Sequence, residues 1–349
     1  MSVTTAPIDH PGMWHGDELF QRDDWLHKFS DQEIDELDRV LRLTEHLGIE
    51  QINKDSFPLP LLGQGLSLIQ ESLENGSGAV MLRGFPTERY SEKQTKRLFW
   101  AMACNIGMPV SQSAEGERIF SVRDSGYKAG DPRLRGPNSS NRLSFHSDRC
   151  DVIGFHCLRQ AKSGGENELV HSIALHNAIQ KHRPDLLAIL YKPFYYKRHT
   201  VDIGNQEPWC QQPIFSIQEG HFACNLLRVL IERAYALPEL PDLTPHQQEA
   251  LDFIEDTASN PKLHVCFRQE RGDILFLNNF VTLHRRSAYE DHEDPSLRRH
   301  LLRIWLSVPN SRPLHPLFKD NYGDTRAGVV RGGMNPVQNG LDTNKSSSI

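Results

Sequence analysis

A mainly β fold, a sandwich or jelly roll with helices packed outside one sheet, is what these 349 residues predict. From residue 150 onward the chain breaks into short apolar or alternating runs separated by turns, whereas helical periodicity is concentrated in the first third. No internal repeat and no low-complexity tract long enough to be a linker interrupts it. One domain is therefore expected over residues 30–321, between an N-terminal arm (1–29) and a mobile C-terminal tail (322–349).

Residues 1–29 show no sustained period. Ser30-Asp31-Gln32-Glu33 is a capping box, in which serine and glutamate side chains bond each other's backbone N–H, and Ile34, Leu37, Val40 and Leu41 then mark one helical face toward Gly48. Leu66, Ile69 and Leu73 mark a second helix ending near Gly76, and 79–83 is a buried strand closed by Gly84. Ser91-Glu92-Lys93-Gln94 caps a third helix through Leu98, Phe99, Met102 and Ile106 to Gly107. A strand near 118–122 leads into the loop 125–141, rich in Gly, Pro, Asn and Ser, and long enough to be a functional lid; 201–209 is a second lid candidate. Short strands are then expected at 152–158, 168–171, 194–199, 214–217, 221–225, 263–267, 274–277, 284–288 and 300–307, with Glu219-Gly220 as a hairpin turn. Two helices interrupt them, one over 173–182 and one opened by Thr244-Pro245-His246-Gln247.

Composition narrows the function classes. A net charge of −6 argues against a general nucleic-acid surface while leaving room for a local basic pocket. No apolar run reaches the roughly 18 residues of a membrane helix, and 1–14 does not read as a secretory signal, so a cytoplasmic location is expected. The six cysteines form no Cys-x-x-Cys pair, which disfavours a zinc ribbon or redox dithiol. A nucleophile elbow and a phosphate-binding Walker loop are both missing.

The chemistry centres on Asn141-Arg142-Leu143-Ser144-Phe145-His146-Ser147-Asp148-Arg149. In an extended chain His146 and Asp148 point to the same side, about 6–7 Å apart. One neutral imidazole and one carboxylate are two-thirds of the two-His-one-carboxylate triad, which holds a divalent metal on one face and leaves other positions open for chemistry. His284, after the Asn278-Asn279 break, is the third candidate. Downstream, Arg299 and Arg303 share one face of a strand whose other face carries Leu302, Ile304 and Leu306. Two inward guanidinium groups call for an anion: a bound carboxylate, or protein carboxylates such as Glu290 and Asp294. His156, His171 and His176 fit no one-faced metal arrangement and read as hydrogen-bonded surface or core residues, and Phe194-Tyr195-Tyr196 reads as strand core.

His146-x-Asp148, the Gly164-Gly165-Glu166-Asn167 turn, Gly272-Asp273 through His284, and Arg299-x-x-x-Arg303, in that order, resemble the iron(II)- and 2-oxoglutarate-dependent oxygenases of the taurine dioxygenase and clavaminate synthase-like branch. The likeness spans about 78–308 and includes Val80-Met81-Leu82-Arg83-Gly84-Phe85-Pro86. It implies a double-stranded β-helix with Fe(II) held by His146, Asp148 and His284, and with 2-oxoglutarate and O2 as cosubstrates. It further implies that Arg299 grips the distal carboxylate of 2-oxoglutarate, that Asn167 stands where relatives often place a threonine for the same carboxylate, and that Arg303 faces an anionic group of the primary substrate. Halogenating relatives replace the carboxylate ligand by a small residue; Asp148 is present, so hydroxylation or a related oxidation of a small anionic or zwitterionic molecule is expected. The alternatives are a jelly-roll metal-binding protein without turnover and a metal-dependent enzyme of another mechanism.

Overall fold

The computed structural model describes residues 6–113, 115–127, 136–198 and 207–334. In chain order, β1 (Leu26–Lys28), α1 (Asp31–Leu43), α2 (Leu62–Asn75), β2 (Ala79–Arg83), α3 (Glu92–Ile106), β3 (Met108–Val110) and β4 (Ile119–Val122) come first. After the His-x-Asp stretch follow β5 (Val152–Arg159), β6 (Ser163–Gly164), β7 (Asn167–His171), α4 (Ser172–His182), α5 (Pro184–Leu190), β8 (Pro193–Lys197) and β9 (Trp209–Pro213). The hairpin β10 (Phe215–Gln218) and β11 (His221–Cys224) precedes α6 (Arg228–Tyr235) and α7 (Pro245–Ala258). The last strands are β12 (His264–Phe267), β13 (Ile274–Asn278), β14 (Thr282–Arg286), β15 (Tyr289–Glu290) and β16 (His300–Ser307).

Two sheets build the jelly roll. The larger runs β1-β2-β13-β5-β16-β3, with β4 also paired to β16, and the smaller runs β12-β7-β14. Side-chain alternation assigns each strand face to a layer. In β13, Ile274 and Phe276 enter a core with α1, α2 and α3, whereas Leu275 and Leu277 enter the core shared with Leu169 of β7 and Val265 of β12. Because both faces of the larger sheet are covered, β13 and β16 are buried along their whole length, which is why they read as apolar runs. On the far side of the smaller sheet, Val170 and Leu283 pack with α4, α5 and α7. The layers are thus helices, sheet, sheet, helices, and the space between the sheets is where β14 and β16 present their polar side chains.

The capping boxes formed as expected at Ser30, Ser91 and Thr244, each side chain accepting from the N–H three residues on. Glu219 and Gly220 both have positive φ, 51° and 83°, at the tip of the β10–β11 hairpin. Several elements depart from expectation. Pro184 does not simply follow α4; it opens α5 at the first helical position, where its missing N–H costs nothing. The strand β9 and helix α6 were not expected. The first lies at the edge of a segment rich in polar residues, and the second is eight residues long with no side-chain cap.

The chain ends also pack more closely than arms and tails. Trp14, Leu19 and Trp25 join the core between the sheets, and the Trp14 indole donates to the Ser77 carbonyl at 3.0 Å. At the other end, Tyr322, Arg331 and Met334 are buried, so the mobile tail expected from residue 322 is corrected for 322–334: burial and an ion pair fix this stretch. Residues 335–349 lie outside the described residues. So do 128–135 and 201–206, parts of the two lid candidates; the described end of the first, with Gly136, Pro137 and Ser139, lines the cavity discussed below. None of the six cysteines, all among the described residues, is in a disulfide. No helix among the described residues is long and apolar enough to cross a membrane.

Candidate active site

His146, Asp148 and His284 meet between the sheets, with one potential ligand atom from each lying within 4.8 Å of the others. The stretch carrying the first two is less regular than an extended strand. Only His146 pairs, in a single antiparallel bridge to His284 closed by N–H···O bonds of 3.0 and 2.9 Å in both directions. That bridge brings two residues 138 positions apart to a ring-centroid distance of 4.4 Å. Asp148 is held by its own backbone N–H, which donates to Asn279 Oδ1 at 3.0 Å.

The donors are in the form a divalent cation needs. His146 Nδ1 lies 2.9 Å from the Ser144 carbonyl, a bond that selects the Nδ1–H tautomer and leaves Nε2 with its lone pair. Burial, followed by the proximity of His284, pushes the His146 pKa down to about 4, so the ring is neutral near pH 7. Burial works to raise the Asp148 pKa, but Arg303 and the two imidazoles outweigh it and hold the carboxyl below its ordinary value. Asp148 Oδ2 lies 3.6 Å from His284 Nε2 and has no hydrogen-bond partner, and His284 Nδ1 is likewise buried without one. Buried polar atoms left unpaired in this way are costly unless something else meets them. A cation between the three side chains would satisfy the carboxylate, and the donor set fits iron(II).

Beside the triad lies a cavity of about 600 Å³, lined by all three residues and by Asn167, Arg286, Arg299 and Arg303 among others. Arg299 is 2% exposed, and its Nε and Nη1 have no partner. The two carboxylates expected as alternative partners are engaged elsewhere, Glu290 with Lys162 at 3.2 Å and Asp294 with the Ser296 N–H at 2.8 Å, and Asp291 accepts from the Arg299 backbone N–H at 2.8 Å. Gly165 makes room for Arg299, since a Cβ there would sit 3.3 Å from its Nε. Arg299 and Arg286 stack on the same ring, Tyr289, at 5.1 and 4.6 Å. An acid group entering from the cavity would meet a guanidinium with two unpaired nitrogens, as an anion subsite requires.

Arg303 is placed differently. Its Nε donates to Gln112 Oε1 at 2.7 Å, and its Nη1 is 3.8 Å from Asp148 Oδ1, while Nη2 has no partner. Phe120 and Trp305 flank it at 5.3 and 4.9 Å. Asn167 lines the cavity, but its amide Nδ2 donates to Gln269 Oε1 at 3.2 Å. The other histidines weighed in the sequence are occupied in the interior. His156 is ringed by Phe85 and Phe99, His171 accepts from the Ile173 N–H at the start of α4, and His176 lies 3.0 Å from Tyr191 Oη. Phe194 and Tyr196 are core, although Tyr196 also lines the cavity. Sequence reasoning missed Asn279, Gln112 and Arg286. Only Asn279 carried a signal, as part of the Asn278-Asn279 break; the partners of the other two lie 191 and 147 positions away in the chain.

The model of the family described as "Taurine catabolism dioxygenase TauD, TfdA family" matches residues 39–305. FR-33289 synthase of Streptomyces rubellomurinus is 29% identical over 320 residues, covering 89% of this chain and 94% of that protein. Among solved structures, asparagine oxygenase in complex with Fe(II), 2S,3S-3-hydroxyasparagine and succinate superposes with a TM-score of 0.63 at 15% identity, over 81% of this chain and 93% of that one. The non-heme iron oxygenase OrfP with Fe and alpha-ketoglutaric acid superposes with a TM-score of 0.61 at 12% identity, over 87% and 99%. At such identities these two structures speak to the fold.

Proposed function

This chain belongs to the taurine catabolism dioxygenase TauD, TfdA family, and from that premise we propose that His146, Asp148 and His284 hold its iron(II), with Arg299 binding the distal carboxylate of 2-oxoglutarate. The protein is an iron(II)- and 2-oxoglutarate-dependent dioxygenase acting on a small molecule. When bound, the metal with 2-oxoglutarate and O2 supplies an oxidant for an unactivated C–H bond, releasing succinate and CO2. The observation that carries the assignment is the pairing of two orphaned features in one cavity: three ligand atoms within 4.8 Å, and a buried arginine with no carboxylate.

This chain's side chains then have distinct tasks. Ser144, through His146 Nδ1, keeps the coordinating nitrogen deprotonated, and Asn279 and Arg303 orient Asp148. Asn167 stands near enough in the cavity lining to add an amide contact to the cosubstrate if it turns from Gln269. The free Nη2 of Arg303 is the proposed contact to the primary substrate. Phe155, Leu169, Leu301 and Trp305 line the same cavity and limit water around the reacting carbon.

The primary substrate in this reading is anionic or zwitterionic. Arg142, Lys197 and Arg233 stand on the cavity wall, whereas the carboxylates among its described lining residues are Asp148 and Glu232, the latter paired to Arg228 at 2.7 Å. One named relative is a uridine-5'-phosphate dioxygenase, and the structural neighbour OrfP has been solved with L-Arg. A cytoplasmic location belongs to the same reading.

The test is to incubate the purified protein with iron(II), O2 and 2-oxoglutarate, and to screen carboxylates, sulfonates, phosphate esters and amino acids for accelerated succinate formation. Acceleration by at least one compound, lost in Asp148→Ala, is expected. Coupled turnover that survives Asp148→Ala, or activity supported by zinc without O2, contradicts the assignment.

A further inference from the structure

We infer that residues 319–334, and Arg331-Gly332-Gly333 above all, form a latch that holds the loop carrying Asp148 in its metal-binding shape; this rests on the proposal that Asp148 is a metal ligand. Residues 147–151 belong to no strand, so their conformation must be set by what they touch. The leading side is fixed by the His146–His284 bridge. On the trailing side the anchor is Asp151. Its Oδ1 lies 2.7 Å from Arg331 Nε, in an ion pair whose side chains are 2% and 0% exposed, and its Oδ2 accepts from Val308 N–H (3.0 Å) and Ser307 Oγ (3.2 Å).

Between the two anchors, Gly333 N–H donates to the Arg149 carbonyl at 2.7 Å, one residue from Asp148, and Met334 N–H donates to Ser111 O at 2.8 Å. The two glycines are required by this approach. Both have positive φ, 74° and 73°; a Cβ on Gly332 would stand 2.7 Å from the Arg149 carbonyl oxygen, and one on Gly333 would stand 2.9 Å from Val110 Cβ. The same segment also builds the cavity wall. Asn321 accepts from Arg149 Nη1 at 3.1 Å, and Asn321 and Met334 both line the cavity. The segment itself lies beyond residue 305, where the family match ends. Asn279 braces the loop from the other side, through Asp148 N–H and by donating its own N–H to Asp151 O at 2.9 Å. The latch and Asn279 together therefore fix the backbone that carries Asp148, whose carboxylate Arg303 then orients, and Arg331 is a positioning residue.

Cobalt(II) binding, followed by its visible absorption and by calorimetry, tests this without turnover. The variants are Arg331→Met, Gly333→Ala and, as a control, Arg312→Met. Arg312 makes an equally buried ion pair, 2.7 Å to Glu74, whose side chains do not touch the loop, and its carbonyl, which accepts from Arg331 Nη2 at 2.8 Å, is retained in the variant. Loss of support behind a metal ligand weakens affinity by about 10–100-fold. Arg331→Met is expected to bind cobalt about tenfold or more weakly, Gly333→Ala several-fold more weakly, and Arg312→Met as the unaltered protein does, although it too loses thermal stability. Should Arg331→Met not fold, Gly333→Ala decides. Unchanged cobalt affinity in the folded latch variants, or an equal loss in Arg312→Met, overturns the latch. Failure of the unaltered protein to bind cobalt overturns the metal site itself, and with it the latch.

Discussion

Arg299, just before β16, and Arg303, within it, lie four residues apart, yet Nε and Nη1 of the first have no partner while the second leans on a proposed metal ligand. The difference dictates different consequences on substitution. A hydrogen bond to a charged group contributes about 1.5–3 kcal/mol, or roughly 10–100-fold in affinity. Arg299→Gln should weaken 2-oxoglutarate binding by about that factor while leaving binding of a monocarboxylate such as 2-oxobutyrate nearly unchanged; calorimetry on the cobalt-loaded protein reads both. Arg303→Gln should instead act on the metal, because the guanidinium that orients Asp148 Oδ1 is lost. At the same scale, burial pushes the His156 pKa down to about 3. The unfolded chain then binds more protons than the folded one between about pH 6.5 and 3, so this neutral histidine's stabilising share is complete above pH 6.5 and is lost as the pH falls, by about 1.4 kcal/mol per pH unit crossed. Denaturant titrations at pH 7 and 4.5 should show a smaller drop for His156→Leu than for the unaltered protein.

At the scale of elements, the turn between β6 and β7 shapes the subsite proposed for 2-oxoglutarate. Gly165 has φ 76° and leaves the space that Arg299 Nε occupies. Gly165→Ala should cost about 1–2 kcal/mol of stability from the left-handed backbone alone, and it should raise the 2-oxoglutarate dissociation constant more than the cobalt one; equal effects on both would mean the turn serves folding only. This turn, the capped helices and the strands β2, β4, β5, β13 and β16 of the larger sheet were legible in the sequence because their signals are local: a capping box, a doubled glycine, an apolar run. Helix α6 carries no cap, and its Arg228 and Arg233 look like an ordinary solvated face until the fold sets them on the cavity wall. Arg331-Gly332-Gly333 misled for the opposite reason. Its composition is that of a mobile tail, but the glycines serve close backbone contact and the arginine is buried against Asp151. The triad was readable only as three separate residues; the single backbone bridge that joins two of them has no trace in sequence spacing.

For the molecule as a whole, helices on both sides leave the two sheets free to line an interior site. Phe276, fully buried between the larger sheet and α3, belongs to the scaffold and not to the site. Phe276→Ala should cost about 3–5 kcal/mol, visible as a lower denaturant midpoint, with cobalt affinity retained in the fraction that folds. Metal binding should in turn stabilise the whole chain, by about 2.7 kcal/mol at a hundredfold excess over its dissociation constant, and Asp148→Ala should remove that gain. If one cation and one keto acid share the cavity between the sheets, the visible absorption of the anaerobic iron(II) protein must change as 2-oxoglutarate is added. A new band that saturates with 2-oxoglutarate, disappears in Asp148→Ala and needs more 2-oxoglutarate in Arg299→Gln is the expected result; iron bound tightly with a spectrum indifferent to 2-oxoglutarate would contradict it.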